Sequence, residues 1–182
     1  QKVLMAAFQS VTVRTAGFNT ADLTALSQGG TLLTLVLMFI GAGSGSTGGG
    51  IKVNTFAALL LSAFAQARRK EDVNIFRRRL DRSDIQKAYS NVTLYFLACL
   101  AGCMVLCAQG ISMDDALFEA ISAIGTVGLT RGVTSSLPWL SKLAVLLMMF
   151  AGRVGSMSVA MAVTRDWPQA KLRSVPEKIL IG

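Results

Sequence analysis

The chain has 182 residues, of which 52% are hydrophobic and 15% charged, with a mean hydropathy of +0.53 and no histidine. That composition is too apolar for an ordinary soluble domain, and the lack of histidine excludes the Ser-His-Asp and Cys-His nucleophile systems and most zinc sites. A net charge of +8 would suit a nucleic-acid binder, but the basic residues lie between and after apolar stretches rather than among aromatics. Membrane topology accounts for them, and no nucleic-acid partner is expected.

The first thirteen residues lack the basic start, long apolar core and small-residue cleavage site of a signal peptide, and they read as the interior of a longer protein. Residues 8–12 (Phe-Gln-Ser-Val-Thr) lead into Thr15, Ala16, Gly17 and Phe18. Residues 31–67 are apolar but too long for one span, and a run of glycine and serine at 41–50 predicts that the helix breaks there. The order Gly50, Ile51, Lys52, Val53 excludes a phosphate-binding loop, which needs a Gly-Lys-Ser/Thr sequence. Small hydroxyl-bearing residues bend and move at little steric cost, so the run reads either as a functional intramembrane loop or as a passive kink.

Residues 68–87 carry eight basic against four acidic side chains, and residues 165–182 carry four against two, which assigns both to the cytoplasmic side. Residues 88–108 contain no charge over 21 positions, enough to cross about 30 Å of hydrocarbon. Cys99, Cys103 and Cys107 recur there every four residues, an odd number on one helix face, and read as packing residues. Residues 109–141, with Asp114, Asp115 and Glu119 against Arg131, form the outer segment, whose acids would attract cations but make no acid/base pair or metal site.

Within that segment Thr126, Val127, Gly128 and Leu129 repeat the pattern of Thr15 to Phe18 at an offset of 111 residues. Upstream, Phe118, Glu119, Ala120, Ile121 and Ser122 match residues 8–12 if one residue slips. Each upstream segment is about three helical turns, too short to span, and predicts a re-entrant half-helix. Extended backbone at membrane depth is tolerated where it is buried in protein or lines a watery path. A Thr-x-Gly strand can turn its carbonyls toward an axis and replace the water shell of a monovalent cation. An ordinary glycine turn in an outer loop is the bland alternative. Residues 143–164 are a second 22-residue apolar stretch with Arg153 near its centre, where charge is costly unless it faces protein or water.

Arg14-Thr15-Ala16-Gly17-Phe18-Asn19-Thr20, the stretch ending Gly48-Gly49-Gly50-Ile51-Lys52, Gly125-Thr126-Val127-Gly128-Leu129 and the closing Pro176-Glu177-Lys178-Ile179-Leu180-Ile181-Gly182 together resemble the Trk/Ktr/HKT superfamily of potassium transporters. The likeness runs along essentially the whole chain and is closest to the membrane subunit of bacterial Ktr systems. It implies an all-α polytopic membrane protein of potassium-channel-like helix, pore loop, helix repeats, with re-entrant half-helices and one broken transmembrane helix. Four such repeats surround one pore in the family, and this chain would carry the last one and two-thirds. Residues 1–67 would be the third repeat without its leading helix, 68–87 a basic cytoplasmic connector, 88–165 the fourth repeat and 166–182 a cytoplasmic tail.

The resemblance further implies a non-enzymatic passive pore in the bacterial inner membrane. Potassium would be bound by Thr15, Ala16, Gly17, Phe18, Thr126, Val127, Gly128 and Leu129. Gly43, Ser44, Gly45, Ser46, Thr47, Gly48, Gly49 and Gly50 would gate below them, and Arg153 would set a barrier to cations or, alternatively, act as a structural brace. Arg14 would brace the filter from behind. The implied partners are the remaining N-terminal repeats, a second copy of the full subunit, membrane lipid, and a cytoplasmic nucleotide-binding regulatory ring of the KtrA type. Sodium is a candidate activator, and this chain itself would bind no nucleotide. A non-conducting regulatory or scaffold subunit and a Trk-type cation symporter are the competing readings.

Overall fold

The computed structural model describes residues 2–155 apart from Thr47, Glu71, Phe76 and Arg77. Six helices carry nearly all of the regular structure: α1 (Lys2–Thr12), α2 (Gln28–Phe39), α3 (Val53–Ala67), α4 (Arg82–Ala108), α5 (Met113–Ile124) and α6 (Trp139–Val154). Two short antiparallel strands, β1 (Asn74–Ile75) and β2 (Arg78–Arg79), pair between α3 and α4. Helix α4 starts six residues before the uncharged stretch at 88–108. It opens on Asp81, whose carboxylate accepts from the Ser83 amide at 3.3 Å and is thereby held below the usual carboxylate range.

Helix α5 lies at the centre. It packs against α4, α6 and α2, and every residue from Phe118 to Ile124 is buried. Close approaches run through small residues: a methyl group added at Gly152 of α6 would stand 1.9 Å from the Ile124 carbonyl oxygen of α5, and one at Gly102 of α4 would stand 2.1 Å from the Met148 sulfur of α6. Cys99 and Cys103 belong to this core, whereas Cys107, expected on the same packed face, is exposed. Among the described residues α4 alone is long and apolar enough to cross a membrane. Only 28% of its most apolar window is buried, which a soluble core helix would not leave uncovered.

The expected break in 31–67 is present. Helix α2 ends at Phe39, α3 begins at Val53, and the chain between them closes on itself at a neck where the Gly41 amide donates to the Ile51 carbonyl at 2.9 Å. The second apolar stretch differs from expectation. Helix α6 stops at Val154, with Gly155 at φ 95° as its cap, so Arg153 occupies the last turn of a helix rather than the middle of a 22-residue one. Residues 156–164 and the tail at 166–182 lie outside the described residues.

The chain repeats itself in space as it does in sequence. A helix (α1 or α5) runs into Thr-x-Gly, a short 3₁₀ turn follows at Leu23–Ala25 or Thr134–Ser136, and a longer helix (α2 or α6) comes next. The two 3₁₀ turns keep the 111-residue offset.

Candidate functional site

Both Thr-x-Gly strands leave the C-terminal end of a short helix and fold back onto it by their amides. Ala16 and Gly17 donate to the Thr12 carbonyl at 3.1 and 3.0 Å, and Val127 donates to the Ser122 carbonyl at 2.9 Å. In both copies the sign of φ alternates: Thr15 (68°) and Gly17 (74°) flank a residue of negative φ, as do Thr126 (53°) and Gly128 (86°). A β-branched residue in the left-handed region is a true outlier, so its occurrence at the same place in both copies identifies a conformation imposed by the surrounding fold. A glycine-containing backbone of alternating φ is one that can turn successive carbonyls toward a common axis. Among the described residues, the carbonyls of Thr15, Ala16, Gly17, Thr126, Val127 and Gly128 accept no hydrogen bond.

The fourth residue is different. Thr12 Oγ1 donates to the Phe18 carbonyl at 2.6 Å, and Ser122 Oγ donates to the Leu129 carbonyl at 2.5 Å. Phe18 and Leu129, expected to bind the ion with the other three, instead have their carbonyls drawn back to the supporting helix. The same contact joins residues at an offset of 110 on the helix and 111 on the strand, so the one-residue slip in the sequence alignment marks a real feature.

The two strands meet. A methyl group at Gly17 would lie 2.1 Å from the Val127 carbonyl oxygen, so only hydrogen fits between them at this point. Beneath them lies the loop at 43–50. Gly48 touches Thr15, where an added methyl would stand 2.3 Å from the hydroxyl oxygen, and Gly49 touches Thr126 with the same clearance. The Gly49 amide donates to Thr126 Oγ1 at 2.9 Å. Glycines at 48 and 49 are thus required by close approach, whereas Gly43 and Gly45 face open space. Ser44 and Ser46 are exposed, Gly50 packs near Tyr95 and Gly125, and Thr47 falls outside the described residues.

Lys52 holds this loop and escaped the sequence reading. Its Nζ donates to the Ser46 carbonyl at 3.1 Å and also to the Gly48 carbonyl. Its place just past the glycine run is the one local signal of that role. Arg153 and the loop line one cavity of about 410 Å³, together with Lys52, Asn91 and Tyr95. Arg14, expected to brace the strand from behind, is exposed.

The acids at 114–119 were expected on the outer segment, where they would attract cations. Glu119 is instead 4% exposed, and accepts from Thr134 Oγ1 at 2.9 and 3.0 Å and from Thr130 Oγ1. Asp115 pairs with Arg131 at 3.3 Å. Among the described residues no group of His, Cys, Asp and Glu is arranged to hold a metal ion.

A family model described as a cation transport protein, TrkH, matches residues 1–175. The chain is 38% identical over 179 residues to Ktr system potassium uptake protein B of Vibrio alginolyticus, covering 98% of this chain and 39% of that protein. To the protein of the same description from Bacillus subtilis it is also 38% identical, covering 96% and 39%. Among solved structures, the potassium transporter TrkH from Vibrio parahaemolyticus superposes with a TM-score of 0.76 at 23% identity, covering 90% of this chain and 37% of that one. The chain therefore spans about two fifths of the length of the relatives it matches.

Proposed function

Because the chain belongs to the TrkH family of cation transport proteins, we propose that it supplies two of the filter strands, and the gate beneath them, of the pore-forming subunit of a Ktr-type potassium uptake system. The observation that carries this reading is the set of six carbonyls, unpartnered among the described residues, on two strands of alternating φ that lie against each other. Potassium is the cargo, held by the carbonyls of Thr15, Ala16, Gly17, Thr126, Val127 and Gly128. The carbonyls of Phe18 and Leu129 serve as anchors. Helices α1 and α5 end at the strands, so the negative ends of both helix dipoles point where a cation is to be held.

Two strands do not encircle an ion, so the remaining repeats of the subunit complete the ring. Helix α4 spans the membrane, and its outward Phe96, Leu97, Leu100 and Met104 meet lipid or the other repeats. The loop at 43–50 closes the route below the strands, and Arg153 raises the barrier in the same cavity. A homodimer of the full subunit, carried in the bacterial inner membrane, docks its basic cytoplasmic segments on a nucleotide-binding regulatory ring of the KtrA type. Sodium acts as an activator there rather than as cargo.

Vesicles containing the complete subunit test the proposal. Potassium tracer should enter and be little displaced by excess sodium, and removing residues 44–49 should raise basal entry. Absence of potassium flux from folded protein would favour a non-conducting scaffold, and flux strictly tied to a proton or sodium gradient would favour a symporter.

A further inference from the structure

The chain leaving the second strand is fastened to α5 at two points one helical turn apart. Asp115 and Glu119 stand four residues apart on the same face of α5. Asp115 takes the Arg131 guanidinium at 3.3 Å, and Glu119 takes the hydroxyls of Thr130 and Thr134. Thr130 Oγ1 accepts from the Gly132 amide at 3.0 Å and from Thr134 Oγ1 at 2.8 Å, which leaves its own proton for the carboxylate, while the Thr134 proton is shared between Glu119 and Thr130. Behind the strand lies a cavity of about 260 Å³, bordered by Glu119, Thr126, Gly128 and, from α6, Val145 and Met149. The strand therefore has room to fall backward, and a buried carboxylate with two hydroxyl donors is what opposes it. Charge-assisted hydrogen bonds of this kind are among the stronger and more directional ones available. The matching position of the first copy, Gln9, carries no charge.

We propose that Glu119, acting through Thr130 and Thr134, is a positioning residue that fixes the second filter strand and so sets the discrimination between potassium and other monovalent cations. This rests on the filter reading above. The effect of Glu119 reaches the pore through the carbonyls of Thr126, Val127 and Gly128. Since the first copy has no such carboxylate, the strand at 126–128 is the stiffer of the two.

The test uses the complete subunit in vesicles and reads the ratio of potassium to sodium entry, which loss of folded protein lowers in neither direction. Glu119→Gln and the double variant Thr130→Val/Thr134→Val should each lower the ratio by about tenfold, the scale set by part of one charge-assisted hydrogen bond. Thr130→Ser/Thr134→Ser keeps both hydroxyls and should preserve it. A Gly128→Ala variant serves as the control for the filter itself. If Gly128→Ala shifts the ratio while Glu119→Gln and the valine pair do not, the positioning role is overturned and the filter stands. If Gly128→Ala leaves it unchanged, the filter reading fails first. If the serine pair loses selectivity as fully as the valine pair, the hydroxyl-to-carboxylate bonds are not what positions the strand.

Discussion

Gly17 and Gly128 occupy equivalent places in the two strands, yet a methyl group should affect them unequally. Both have left-handed φ, 74° and 86°, which costs an L residue about 1–2 kcal/mol. At Gly128 that is the whole penalty, because an added Cβ has nothing within 4 Å among the described residues. At Gly17 the Cβ falls 2.1 Å from the Val127 carbonyl oxygen, roughly 1–1.5 Å inside a normal carbon–oxygen contact. The atom in the way is backbone, and it is one of the six proposed ligands, so relief requires moving the opposite strand. Gly128→Ala should therefore reduce the population of ligating strands by about 5- to 30-fold, the factor that 1–2 kcal/mol represents, and weaken preference for potassium in proportion. Gly17→Ala should abolish the preference. Potassium uptake by vesicles of the complete subunit, with and without excess sodium, measures both. Equal effects, or a larger effect at Gly128, would show that the strands do not meet at Gly17 in the assembled pore.

Lys52→Met removes the ammonium that holds the loop through Ser46 and Gly48, and loss of about 1.4 kcal/mol of closure should raise basal potassium entry by about tenfold; unchanged entry in vesicles lacking the regulatory ring would deny the latch. Arg153→Gln removes a charge that, at about 6 Å and an effective dielectric near 20, opposes a cation by roughly 2–3 kcal/mol, so unitary or tracer flux should increase; slower flux from folded protein would make the arginine a brace. Gly152→Ala drives a methyl into the Ile124 carbonyl and should lower the thermal midpoint more than Gly102→Ala, whose obstacle is the flexible thioether of Met148. The reverse order in a melting assay would contradict the close approach of α6 to α5.

Helix α4 and the interruption of 31–67 were readable because they rest on local chemistry, an uncharged run and a glycine run. The repeat was readable for the same reason, down to the slipped residue that places Thr12 and Ser122 on equivalent carbonyls. Left-handed Thr15 and Thr126 were not readable, since local preference opposes them and tertiary contacts impose them. The burial of Glu119 was not readable, because its partners lie 11 and 15 residues further on, across a turn whose path no periodicity reveals. The end of α6 had an available signal, a basic residue followed two places later by glycine, which is a common helix terminus. The hydropathy of the longer stretch outweighed it.

The neck joining Gly41 to Ile51, reinforced by the Val53 amide donating to the Ala42 carbonyl at 3.3 Å, makes the loop an exchangeable cassette. Its two ends are fastened to each other before the helices begin, so the mutual registration of α2 and α3 is independent of how many residues lie between. Closing a loop grows costlier only slowly with length, by about 0.6 kcal/mol per doubling. Segments of different length and composition can therefore be grafted at 43–46, where Gly43 and Gly45 face open space, while both helices stay in place and the glycines at 48 and 49 keep their contacts with Thr15 and Thr126.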